Sequence, residues 1–184
     1  MLIKERKING VFEIQLKPQK DSRGFFMRVY DEKLFEKYRI NKNWVQENHS
    51  FSSEKNTIRG MHFQFPPHAE AKLIRVINGA IYDVHIDLRK NSINFGQWDS
   101  IQLSRENNKM LFIPRGIAHG FCALTKNCEI LYKMDNYYDS DFEGSILWND
   151  QEIGIKWPVD KPILSEKDLN AKSFREFVKK SKGL

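Results

Sequence analysis

The feature that most constrains this chain is the Asn78-Gly79 pair, set between two runs of alternating apolar residues at 72–77 and 80–89. A type I′ turn needs positive φ at both central residues, and Asn-Gly supplies it, so the pattern predicts a β-hairpin. Similar short runs recur at 10–16, 24–30, 44–51, 57–65, 98–103, 109–113, 118–124, 130–135 and 145–149. Many short strands broken by turn residues point to a sandwich or a barrel. Helical patterning is confined to 32–38 and the C-terminal end. Residues 160–168, with Pro162 near the start, read as a loop leading into a helical turn. At 173–180, Phe174, Phe177 and Val178 fall at i, i+3 and i+4 behind a capping Ser173. That short basic helix is expected to dock on its own domain rather than on a membrane.

The 184 residues suggest one domain over 1–184, with a basic helical tail at about 171–184. No apolar run reaches the roughly 20 residues of a membrane span. The N-terminus alternates charged and apolar residues, unlike a secretory leader. Two cysteines, Cys122 and Cys128, make no disulfide framework and fit a reducing, cytoplasmic setting. The formal net charge of +6 invites a nucleic-acid reading. However, residues 1–20 carry +3 and residues 171–184 carry +4, which leaves the body at −1. A duplex reader carries its basic stripe on the folded face, so no nucleic-acid partner is expected.

In the predicted hairpin, Ile74 faces Asp83 and Lys72 faces His85. Period two then gathers Lys72, Ile74, Asp83, His85 and Asp87 on one face. That face is either a solvated surface or the polar interior of a barrel. Of five histidines, His62 shares a strand face with Ile58, Gly60 and Gln64. A metal cupin uses two histidines two apart, then a carboxylate and a later histidine. Glu70 and His119 can fill the last two roles, but Gln64 stands where the second histidine belongs, and an amide is a poor ligand for zinc, iron or copper. Without a metal, an inward His62 suits general acid–base work, or it is a structural strand histidine. By spacing alone Tyr132 reads as an amphipathic core residue. No nucleophile elbow, Walker loop or dinucleotide glycine pattern occurs. Arg23-Gly24, Arg59-Gly60 and Pro114-Arg115-Gly116 read as Arg–Gly turns.

Taken together, Asp21-Ser22-Arg23-Gly24-Phe25-Phe26, Gln46-Glu47-Asn48-His49-Ser50, Ile58-Arg59-Gly60-Met61-His62-Phe63-Gln64, Ala71-Lys72-Leu73-Ile74-Arg75-Val76 and Ile113-Pro114-Arg115-Gly116-Ile117-Ala118-His119-Gly120-Phe121 form an ordered set. Tyr132-Lys133, Trp148-Asn149-Asp150 and Ile163-Leu164-Ser165-Glu166-Lys167-Asp168 continue it to about residue 170. This set resembles the nucleotide-sugar 3,5-epimerases of the cupin fold. The resemblance implies a mainly β, cupin-type jelly-roll barrel or sandwich with short peripheral helices. It implies a metal-free, cofactor-free isomerase in deoxysugar and surface-polysaccharide biosynthesis, acting on a nucleoside-diphosphate 4-keto-6-deoxy-sugar. His62 matches the base that removes a proton at C3 or C5, and Asp168 the carboxylate that orients it. Lys72 matches the cation near the C4 oxygen, with Asp83 expected beside it, and Tyr132 matches the acid on the other ring face. Arg23, Gln46, Asn48, Arg59, His119, Glu143 and Lys167 match substrate-binding positions.

Two positions depart from the family pattern. Arg28 stands where a glutamate is usual, and Phe51 where a basic residue is frequent. Both concern the nucleotide end, so dTDP, CDP and GDP are each open, as is inversion at C3, C5 or both; Arg28 is kept among the binding residues. The resemblance also implies a homodimer in which an N-terminal strand reaches the partner. The alternatives are a non-catalytic sugar-nucleotide-binding cupin and a metal-dependent cupin enzyme.

Overall fold

The computed structural model describes residues 1–181 and 183–184. In chain order the strands are β1 (Leu2–Glu5), β2 (Phe12–Gln15), β3 (Gln19–Asp21), β4 (Gly24–Phe26), β5 (Gln46–Ser52), β6 (Ile58–Gln64), β7 (Lys72–Asn78), β8 (Ala80–Asp87), β9 (Trp98–Ser104), β10 (Lys109–Ile113), β11 (Ile117–Ala123), β12 (Cys128–Met134) and β13 (Glu143–Ser145). The helices are α1 (Glu32–Lys37), α2 (Glu166–Leu169) and α3 (Phe174–Ser181). A six-stranded sheet ordered β1-β2-β10-β7-β12-β5 faces a five-stranded sheet ordered β13-β6-β11-β8-β9, and the named pairings are antiparallel. This is the mainly β jelly roll that the sequence leads one to expect.

The Asn78-Gly79 hairpin does not form. β7 pairs with β10 and β12, while β8 pairs with β9 and β11, so the chain changes sheets at Gly79. Gly79 has φ +75°, whereas Asn78 is not among the positive-φ residues, so the type I′ geometry is absent. A Cβ at Gly79 would lie 2.4 Å from Thr125 Oγ1 and 2.9 Å from Cys128 Sγ. The turn is thus pressed against the β11–β12 connection, where the Thr125 hydroxyl accepts the Ala80 amide and Ala80 O accepts from Leu124. The face assignment survives, because each strand's alternation is unaffected by its partner. Lys72 and Ile74 point inward from one sheet, and Asp83, His85 and Asp87 are buried in the other. The polar face is the barrel interior.

Three apolar clusters follow from that alternation. One lies between the sheets and includes Ile74, Val76, Ile81, Leu103, Leu111 and Ile130. A second covers the outer face of the five-stranded sheet, where Phe174 and Phe177 of α3 pack on Met61, Phe63 and Val84. A third lies outside the six-stranded sheet, under Phe35 of α1. The Ser173 hydroxyl accepts from the Glu176 amide, and the Glu176 carboxylate accepts from Ser173 N–H and O–H, a capping box that starts α3. The apolar side of this basic helix is therefore covered by its own domain. No helix among the described residues is long and apolar enough to cross a membrane.

Other departures are local. Arg59-Gly60 lies inside β6 rather than at a turn. A Cβ on Gly60 (φ +139°) would stand 2.4 Å from the Gly120 Cα, and this close approach accompanies the register shift between β6 and β11. The run at 145–149 contributes only its first residue to β13. From Leu147 the chain bends into a turn, where Asp150 Oδ1 accepts the amides of Glu152 and Ile153. The run at 24–30 stops at Phe26, which pairs with Gln19, the first residue of β3.

Candidate active site

Both sheets and α2 contribute to one cleft of about 610 Å³ between the sheets. His62 on β6 lies directly opposite His119 on β11 and Ser145 on β13. The His62 Nε2 is 2.6 Å from Asp168 Oδ1 on α2. With the carboxylate accepting from Nε2–H, Nδ1 keeps the lone pair, as a base requires. α2 presents this carboxylate through its own cap, since Ser165 Oγ accepts the Asp168 amide. Burial acts to raise the Asp168 carboxyl, but the hydrogen bond and charge of His62, with help from Ser165, outweigh it and hold the group below the usual range. His119 Nε2 pairs with Asp83 Oδ2 at 2.8 Å. Burial, with the nearby Lys72 and His85 charges, lowers His119 despite Asp83.

The facing sheet supplies Lys72 on β7, Tyr132 on β12, and Gln46 and Asn48 on β5. Tyr132 stands opposite Asn48 in the β12–β5 register and opposite Ile74 in the β12–β7 register. Burial raises the Tyr132 phenol against the opposing pull of Arg59 and Asn48, so it holds its proton at neutral pH. Lys72 is nearly enclosed, and its Nζ lies 3.1 Å from Glu70 Oε1. At one wall Lys167 is ion-paired with Glu143, which also accepts from Tyr138 Oη at 3.1 Å. These two donors outweigh burial and keep the Glu143 carboxyl low. At another wall Arg59 donates to Phe51 O at 3.0 Å.

His62, Lys72, Tyr132, Asp168, Gln46, Asn48, Arg59, His119, Glu143 and Lys167 therefore meet in one cavity. Asp83 does not line it; it sits behind His119. The expected Asp83–Lys72 pairing is replaced by two others, Asp83–His119 and Lys72–Glu70. The cause is the sheet change at Gly79, which places β7 and β8 in different sheets. Arg23 and Arg28 lie outside the cleft. Arg23 is 87% exposed on the β3–β4 hairpin and pairs with Asp21, and Arg28 pairs with Asp31. Tyr138 was missed, because its loop has no periodicity to place it. Glu70 was singled out only as a possible metal ligand. The donors of that metal reading are engaged elsewhere: His62 with Asp168, His119 with Asp83, and Glu70 with Lys72 and Gln64.

Comparison with known proteins agrees with this geometry. Residues 5–176 match the family profile described as dTDP-4-dehydrorhamnose 3,5-epimerase. A Salmonella typhimurium protein of that name is 46% identical over 173 residues, covering 93% of this chain and 94% of the relative. A Bacillus anthracis crystal structure of that name, with TDP and PPi bound, superposes with a TM-score of 0.92 at 43% identity. It covers 94% of this chain and 99% of that one. A Legionella pneumophila structure in complex with dTDP-4-keto-L-rhamnose gives a TM-score of 0.89 at 36% identity, covering 95% and 93%.

Proposed function

Because the chain belongs to the dTDP-4-dehydrorhamnose 3,5-epimerase family, we propose that it epimerises a dTDP-linked 4-keto-6-deoxy-sugar at C3 and C5 in cytoplasmic deoxysugar biosynthesis. The observation that carries this reading is that His62 and Tyr132 project into one cleft from opposite sheets, so a sugar between them has a base on one face and an acid on the other. His62 Nδ1 takes the proton α to the C4 ketone, and Asp168 holds the imidazole in the required tautomer. Charge then develops on the C4 oxygen. A fixed ammonium in a water-poor site stabilises that charge, which is the role of Lys72. Tyr132, kept protonated by burial, returns a proton to the opposite face. Arg59, Gln46, Asn48, His119, Glu143 and Lys167 bind the rest of the substrate.

The working unit in this proposal is a homodimer. Phe25 and Phe26, 57% and 67% exposed, stand with Arg23 on the β3–β4 hairpin, outside the cleft, and a second copy gives those groups a substrate to meet. Incubating the protein in deuterium oxide with dTDP-, CDP- and GDP-linked 4-keto-6-deoxy-sugars, with mass spectrometry as readout, tests the function. A gain of two deuterons on the dTDP sugar is expected. No incorporation into any of the three overturns the reading.

A further inference from the structure

We infer that Glu70, locked in place by Gln64, is the positioning residue for the Lys72 ammonium; this rests on the epimerase reading of the cleft. The side chains of Lys72 and Glu70 are 9% and 4% exposed, so the ammonium sits where an unpaired charge is costly. One carboxylate oxygen meets Nζ at 3.1 Å, and the other accepts from Gln64 Nε2 at 3.0 Å. Gln64 cannot swing. Its amide nitrogen, which has two protons, also lies 2.9 Å from His68 O and 3.2 Å from Tyr137 O, so one proton is shared between acceptors, and its oxygen accepts the Asp139 amide at 2.7 Å. The glutamine that disrupts the metal-cupin pattern therefore has a different task. It orients a carboxylate whose cation is the lysine.

The consequence for catalysis is geometric. A lysine has three donors on a flexible four-carbon stem. With one donor fixed on Glu70, the other two have a defined direction for the oxygen that becomes negative at C4. A displacement of this charge penalises the transition state more than the ground state, because negative charge develops on the C4 oxygen only on the way to the enolate.

The test is a kinetic comparison of Glu70→Ala and Glu70→Gln, each alone and in a Lys72→Met background, with the wild-type protein run first in the deuterium assay. Glu70→Ala is expected to lower kcat by about 10- to 100-fold, less than the roughly 10²–10³-fold cost of deleting an oxyanion donor outright because the lysine itself remains, and to change KM less than threefold. Glu70→Gln keeps one oxygen acceptor for Nζ but turns its amide nitrogen toward Gln64 Nε2, and is expected to recover part of kcat, between Glu70→Ala and the wild type. In the Lys72→Met background, Glu70→Ala is expected to add nothing, because the group it positions is gone. An unchanged kcat in Glu70→Ala overturns the inference, as does an equal loss in both backgrounds. A wild-type protein that incorporates no deuterium instead removes the epimerase reading itself.

Discussion

At the scale of single residues, the cleft separates two proton carriers that the reaction must not exchange. His62 is oriented by Asp168 at 2.6 Å, whereas the phenol of Tyr132 is raised by burial. Removing each therefore gives a different defect. His62→Ala is expected to abolish both epimerisation and deuterium uptake, since no base remains; a positioned base is worth about 10²–10⁴-fold. Tyr132→Phe is expected to lose inversion yet still exchange the α-proton through His62 on the original face. Proton NMR in deuterium oxide separates the outcomes, and loss of exchange in Tyr132→Phe would contradict the division of labour. Which residues reach the cleft was largely legible in the sequence. Strand alternation already turned Lys72 to the inner face, and the family motifs selected His62, Tyr132 and Asp168; Asp83 shares that inward direction but stops behind His119. The partner of Lys72 was not legible. Glu70 lies outside any strand, and its meeting with Lys72 depends on how the chain enters β7.

At the scale of elements, strand runs and their faces were readable because both are local properties of the chain. Pairing was not, since it depends on what closes around a turn. At Asn78-Gly79 the β11–β12 connection fills the space beneath the turn and takes the Ala80 amide, and the local hairpin signal is overridden. The β3–β4 hairpin poses the opposite problem. It forms with aromatic side chains in solvent, and its arginine does not line the cleft it is expected to serve. If Arg23 acts in the partner's cleft, two inactive chains can complement each other. A mixture of Arg23→Ala and His62→Ala proteins, unfolded and refolded together, forms mixed dimers in which one cleft has both an intact His62 and an intact Arg23. About one quarter of wild-type activity is expected from random reassortment of a closed dimer. If Arg23 serves its own cleft, the mixture stays as inactive as its parts.

At the scale of the whole molecule, the charge that first suggested nucleic acid is divided between the ends, while the interior carries paired, buried ionisable groups. This distribution sets how the fold responds to acid. His119 is harder to protonate in the folded chain than in the unfolded one, because burial opposes its charge. Asp168 and Asp87 are likewise held below their ordinary values, by His62 and by Arg89 and Ser92 respectively, against the effect of burial. In each case the folded state binds fewer protons than the unfolded state at intermediate pH, so stability falls as pH falls. The His119 contribution is complete above the ordinary imidazole value of about 6.5 and is lost as pH drops through its lower folded value. The carboxylate contributions begin to fall below about pH 4. Two successive losses are therefore expected in the thermal midpoint between pH 8 and pH 3. His119→Asn should remove the upper one and leave the lower in place. Differential scanning calorimetry across this range checks both steps. A midpoint that stays level from pH 7 to pH 5 in the wild-type protein would show that burial does not hold His119 neutral. The acid side of the cleft would then have to be derived from a charged Asp83–His119 pair.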